Sequence, residues 1–143
     1  MKRIGLDTNI FMSVFLEEKG KLEACLAILQ NIHDGILEGI ISVITLVEIA
    51  VLFYQKNEYL KAKKALSLIN SLSNIAIIDI TPHLALKIAA IKTSDKLSVA
   101  DAIILATAVH ASAEAFLTYD HDFAKVKTIR CIKPEDYLQE MNI

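Results

Sequence analysis

Few residues in this chain punctuate it. Cysteine occurs twice, as Cys25 and Cys131, which stand far apart and form no CxxC pair. Free, buried thiols in a reducing compartment are the expectation. The two prolines, Pro82 and Pro134, both sit where helices open, in "DITPHLALKIAAI" and "CIKPEDYLQEM", and neither interrupts an element. Charge of one sign is not in excess: 15 Lys and Arg face 17 Asp and Glu, a formal net charge of −2. The whole chain therefore carries no basic nucleic-acid footprint, although an acidic site would mask a basic patch elsewhere. The most apolar stretch, "LSVADAIILATAVHASAEAFL", is interrupted by Asp101, His110 and Glu114, which makes it a poor membrane span and a good buried helix. Asp7 breaks any secretory apolar core near the start. A cytoplasmic protein with no membrane association is expected. With no repeat, low-complexity tract or linker, residues 1–143 read as one domain.

What is abundant is apolar material. Hydrophobic residues make up 54% of the chain and the mean hydropathy is +0.44, high for a soluble monomer and a reason to look for a partner surface. Short β-branched runs at 2–6, 39–44, 75–80, 115–119 and 128–132 alternate with helical patterns at 21–35, 46–57, 58–72, 82–94 and 99–113. A further helix follows Pro134, and another starts near Thr8. This alternation predicts a three-layer α/β/α sandwich on a mainly parallel sheet. Its strands are nearly continuous apolar runs, as expected when both faces are covered. Ligands in such sheets bind beyond the carboxyl ends of the strands.

Four acids fall at that edge. Asp7 follows the first strand, Glu48 is placed in the first turn of the helix after the second, Asp101 in the first turn of the helix opened by Ser98, and Asp120 directly after "AFLTY", with Asp122 two residues on. Each has a structural role open to it. Asp7 can cap a helix, Thr45–Glu48 and Ser98–Asp101 fit capping boxes, and Asp120 and Asp122 can form a turn. The spacing argues for more. Glu48 has Val51 and Leu52 at i+3 and i+4, and Asp101 has Ile104, Leu105 and Ala108 at i+3, i+4 and i+7, so both carboxylates are read onto apolar stripes. No Lys or Arg lies at i±3 or i±4 from either. Converging, desolvated carboxylates repel one another and a divalent cation resolves the repulsion; an all-oxygen donor set without a Cys/His cluster points to Mg²⁺ or Mn²⁺ rather than zinc.

The segments "LDTNIF", "ITLVEIA", "LSVADAIILATA" and "FLTYDHDF", in this order, resemble the PIN-domain ribonucleases, most nearly the small single-domain toxins of VapBC-type toxin–antitoxin pairs. The resemblance runs from Asp7 to Phe123. It implies a metal-dependent endoribonuclease leaving 5′-phosphate and 3′-hydroxyl ends. It also implies an acidic quartet of Asp7, Glu48, Asp101 and Asp120 (or Asp122 at the fourth corner), polar support from Thr8, Asn9 and Thr118, a cognate antitoxin and a homodimer. Asp7 and Asp101 are the first choice as direct metal ligands; Glu48 binds a second ion or orients the water. For RNA, the run "KVKTIRCIK" offers Lys125, Lys127, Arg130 and Lys133, and "YLKAKK" offers Lys61, Lys63 and Lys64, against the plainer reading of solvated faces. His121 reads as a turn residue. A phosphatase of the DxD type would need Asp where Asn9 stands. An RNA-processing nuclease outside a toxin pair and a non-catalytic RNA- or protein-binding scaffold are the other readings, the last usually accompanied by lost acids.

Overall fold

The computed structural model describes residues 1–142. Five strands, β1 (Lys2–Leu6), β2 (Leu37–Ser42), β3 (Ile75–Ile78), β4 (Ala115–Leu117) and β5 (Cys131–Ile132), form one sheet in the order β3-β2-β1-β4-β5. Every pairing is parallel. Seven α-helices connect and flank them: α1 (Thr8–Phe15), α2 (Leu22–His33), α3 (Val43–Tyr54), α4 (Tyr59–Ser71), α5 (Ala85–Asp95), α6 (Val99–His110) and α7 (Pro134–Glu140). Short 3₁₀ turns at Pro82–Leu84 and His121–Lys125 complete the set.

Alternation along the strands builds the layers. Ile4 and Leu6 of β1, Leu37 and Ile41 of β2, and Ala115 and Leu117 of β4 point to one face, where they pack with Ile10 and Phe11 of α1, Ile28 and Ile32 of α2, Ile49 of α3, Ile69 of α4 and Tyr137 of α7. Phe116 points to the other face and joins Ile104, Leu105 and Ala108 of α6, Ile91 of α5 and Phe123. Each fully buried aliphatic or aromatic side chain contributes about 1.5–3 kcal/mol, so the sheet is held from both sides. The approach of α6 depends on Gly5: a Cβ there would lie 2.5 Å from Ala108 Cβ and 2.9 Å from Phe116 Cδ1.

The predicted elements are present, with shifts that have physical causes. Helix α2 ends at a glycine: Gly35 has φ +81°, its N–H donates to the Ile32 carbonyl at 3.0 Å, and the Ile36 N–H donates to that of Asn31 at 2.9 Å, a Schellman closure. Thr81 holds the N-cap position of its turn but makes no side-chain cap bond. The largest shift is at α3, which starts at Val43 rather than three residues later. Ser42 is its N-cap, accepting from the Ile44 N–H at 3.2 Å. The expected Thr45–Glu48 capping box therefore does not form; Thr45 is buried inside the helix, and Glu48 belongs to the second turn. The buried stripe of α3 is Thr45, Ile49 and Phe53, while Val51 and Leu52 are 45% and 40% exposed. Glu48 thus stands at the rim of the core and not within an apolar stripe. Asp101 does sit on one, since Ile104, Leu105 and Ala108 are all buried. Among the described residues no helix is long and apolar enough to cross a membrane.

Candidate metal centre

Parallel strands put the ends of β1, β2 and β4 at the same edge. Asp7, the residue after β1, is 6% exposed. It caps α1, its Oδ1 accepting from the Thr8 N–H at 2.8 Å, and its own N–H donates to the Leu117 carbonyl at 3.0 Å. The second oxygen is held as well: Oδ2 accepts from Thr118 Oγ1 at 2.6 Å and from Asn9 Nδ2 at 3.2 Å. Capping and site building therefore use the same side chain.

The other acids arrive from three elements. Glu48 Oε1 accepts from Thr8 Oγ1 at 2.6 Å. At the start of α6, Ser98 Oγ accepts from the Asp101 N–H at 3.1 Å. The reciprocal bond from the Asp101 side chain to the Ser98 N–H that would complete the capping box is absent among the described residues, and the carboxylate faces the cleft. Asp120 follows β4; its N–H donates to Thr118 Oγ1 at 3.0 Å, and its Oδ1 accepts from the Asp122 N–H at 2.9 Å. Carboxylate oxygens of Asp101, Asp120 and Asp122 lie within 4.8 Å of one another. Asp101 and Asp120 are half-buried and Asp122 is exposed.

Together these groups line an open cleft of about 400 Å³, bounded by Asp7, Thr8, Asn9, Glu48, Asp101 and Asp120 with Met12, Val47, Val51, Leu52 and Gln55. Four carboxylates line it and no Lys, Arg or His does. The electrostatic consequence is visible on Asp7. Burial pushes its carboxyl up to about 6, against the opposing effect of the Thr118 and Thr8 hydrogen bonds, and the neighbouring Asp101 and Glu48 push it further up. Asp101 is also raised, first by burial and then by Asp120, Glu48 and Asp122, with Ser98 opposing. Asp101 is thus within the electrostatic reach of the other acids of the edge, and its oxygens approach those of Asp120 and Asp122. A dense, cation-free set of hard oxygen donors suits a divalent cation.

A model of the PIN domain matches residues 4–129. The chain belongs to the PIN-domain family. Solved structures share its fold. VapBC2 from Rickettsia felis bound to a promoter DNA fragment superposes with a TM-score of 0.74 at 17% identity, covering 93% of this chain and 98% of that one. A toxin–antitoxin complex from Klebsiella pneumoniae gives 0.66 at 26% identity, covering 94% and 98%. VapC20 from Mycobacterium tuberculosis, a Sarcin-Ricin loop cleaving toxin, gives 0.68 at 15% identity, covering 85% and 92%. No curated protein matches by sequence.

In this PIN domain the acidic edge brings Asp7, Thr8, Asn9, Glu48, Asp101, Thr118, Asp120 and Asp122 into one neighbourhood. The basic candidates lie elsewhere. Lys125 Nζ donates to the Lys96 carbonyl at 2.8 Å, closing the end of α5. Arg130 binds both carboxylate oxygens of Glu140, at 2.8 and 2.6 Å, before β5 begins. Neither they nor Lys127 line the acidic cleft. Sequence reading missed Lys21, Tyr119 and Glu135. Tyr119 Oη donates to Glu135 Oε2 at 2.9 Å, and Lys21 Nζ stands 4.8 Å from the centre of the Tyr119 ring. Only the ring position beside Asp120 hinted at Tyr119; nothing local marked Lys21. Both cysteines are free as expected, Cys25 buried and Cys131 half-buried, and burial pushes the Cys131 thiol up to about 12, so it is a packing residue at neutral pH.

Proposed function

We propose that this PIN domain is a Mg²⁺- or Mn²⁺-dependent endoribonuclease, the toxin of a toxin–antitoxin pair acting in the cytoplasm. One observation carries the proposal: four carboxylates converge on one open cleft that contains no cation of the protein's own. Asp7 and Asp101 would hold the first ion, with Asp120 and Asp122 extending the donor set on the far side of Asp101. When bound, such an ion polarises the scissile phosphate and supplies hydroxide from water at neutral pH.

The chain's own residues do the positioning. Thr118 and Asn9 fix the orientation of Asp7, and the Thr118 hydroxyl ties that carboxylate to the Asp120 backbone. Thr8 restrains Glu48, whose remaining oxygen is available to orient the attacking water. Exposed Val47, Val51 and Leu52 form the cleft's outer wall, where a nucleoside rather than a phosphate would rest.

The toxin assignment draws support from two solved neighbours, VapBC2 from Rickettsia felis and the toxin–antitoxin complex from Klebsiella pneumoniae. A groove of about 260 Å³ lined by Phe11, Val14, Phe15, Leu26 and Leu68 supports an antitoxin partner that contributes apolar side chains. Exposed Tyr54, Tyr59 and Leu60 around the α3–α4 turn support a homodimer, measurable by light scattering. All four acids are retained, which favours the enzyme over a scaffold.

The test is cleavage of RNA by purified protein in Mg²⁺, with EDTA and with Asp101→Asn as controls. Loss of cleavage in both controls is expected; cleavage that persists in either overturns the metal centre. Growth arrest on expression, abolished by the same substitution and relieved by a small protein encoded alongside, is the expected toxin phenotype.

A further inference from the structure

A second cleft, of about 480 Å³, opens on the other side of Asp120, which lines both. Its character is opposite. Lys21, His121 and Lys133 enter it from three different segments, and Asp120 is its one carboxylate. Its floor is apolar, formed by Phe123, Ala124, Cys131 and Ile132. Lys133 has no carboxylate within 4.0 Å among the described residues. Lys21 is anchored over the Tyr119 ring and beside Glu18, at 3.5 Å. Tyr119 itself is fixed by Glu135. The result is a cleft lined by two lysines and a histidine together with apolar side chains, next to a cleft that repels phosphate until its charge is neutralised.

We propose that this second cleft is a subsite for single-stranded RNA, holding the nucleotide on one side of the phosphate that occupies the acidic cleft. Lys21 and Lys133 contact backbone phosphate, and the wall of Tyr119, Ala124 and Ile132 receives the attached nucleoside. Such a pairing of a basic rim with an apolar or aromatic platform is how single strands are held without base-edge readout. Because Asp120 is the shared wall, the strand passes from one cleft to the other over that residue, and the two sides of the scissile bond are held unequally. The inference rests on the ribonuclease reading for the identity of the strand.

The test uses the full chain. In an Asp101→Asn background, a fluorescent single-stranded RNA is titrated by anisotropy against protein with and without Lys21→Gln/Lys133→Gln. The double substitution should weaken binding by about 10-fold and flatten the plot of log K against log salt by about 1.4, since each phosphate contact on a single strand contributes roughly 0.7. Lys87→Gln/Lys92→Gln, which removes the same charge from the exposed side of α5, should leave the slope unchanged. In the active protein the Lys21/Lys133 pair should raise KM with kcat within about twofold. That rise should vanish for RNAs shortened from one end and persist for those shortened from the other. Equal effects of the two lysine pairs, or an unchanged KM with melting temperature preserved, overturn the subsite. Failure of the unmodified protein to cut any RNA would instead remove the ribonuclease reading, while the binding titration still reports on the cleft.

Discussion

Asp7 is a carboxylate kept in the wrong solvent. Burial and the facing acids lift it to about 6 from 3.8, so the metal-free folded state binds a proton more tightly than the unfolded chain. The sign of the linkage follows: stability is greatest below about pH 4, falls as pH rises through 6, and the penalty is complete above that. A two-unit shift corresponds to at most about 3 kcal/mol. In EDTA, Asp7→Asn should raise the melting temperature by several degrees at pH 8 and leave it nearly unchanged at pH 4; equal shifts at both would show that the charge is not the cause. Added Mn²⁺ should stabilise the unmodified protein at pH 8 and leave the Asn variant unmoved. Thr118→Val tests the neighbour that holds this carboxylate. It removes the 2.6 Å donor to Oδ2 and the acceptor for the Asp120 N–H, and should weaken Mn²⁺ binding by about 10-fold or more by calorimetry, as loss of an outer hydrogen bond to a metal ligand does.

At the scale of elements, the centre depends on how closely α6 approaches β1. Gly5→Ala would drive a methyl group into Ala108 and Phe116. Because Asp101 rides on α6 and Asp7 follows β1, the strain and the active geometry are coupled. The expected outcome is a loss of about 1–3 kcal/mol in urea denaturation and a kcat reduction larger than that of an equally destabilising change remote from the interface. The elements also show what could be read in advance. Asp101 was legible because Ser98 opens its helix and an apolar stripe follows at i+3, i+4 and i+7. Glu48 was legible as an acid at this edge of the sheet but misplaced by a turn. The segment "GIISVITLVEIA" is apolar on both sides of the strand–helix junction, and only Ser42 marks the change, so periodicity has nothing to count. Val51 and Leu52 read as core and are cleft wall, since hydropathy does not distinguish the two kinds of burial, one by protein and one awaiting a ligand. Lys133 was offered as one of a basic run, but its sharing of a cleft with Lys21 was beyond local reading: that cleft exists only once β4, β5 and the loop before α2 converge.

For the whole molecule, the order β3-β2-β1-β4-β5 places the first strand in the middle of the sheet, with Leu6 paired to Leu117 and Leu37 to Lys2. Many of its contacts therefore join distant parts of the sequence, a topology that folds slowly for its size. Refolding of the unmodified chain should be slower than that of helical domains of similar length, and metal should slow unfolding more than it speeds folding, since the acidic edge needs β1 and β4 already docked. Stopped-flow refolding with and without Mn²⁺ measures both. The central position of β1 also fixes when danger begins. At roughly 5–20 residues per second, a ribosome spends several seconds carrying a nascent chain that has made Asp7 and Glu48 and has yet to make Thr118 and Asp120. Under the proposed function, that chain is harmless to the RNA of the machine building it. Activity arrives only once β4 and the Asp120 turn have docked beside β1, which is when a partner protein must be waiting.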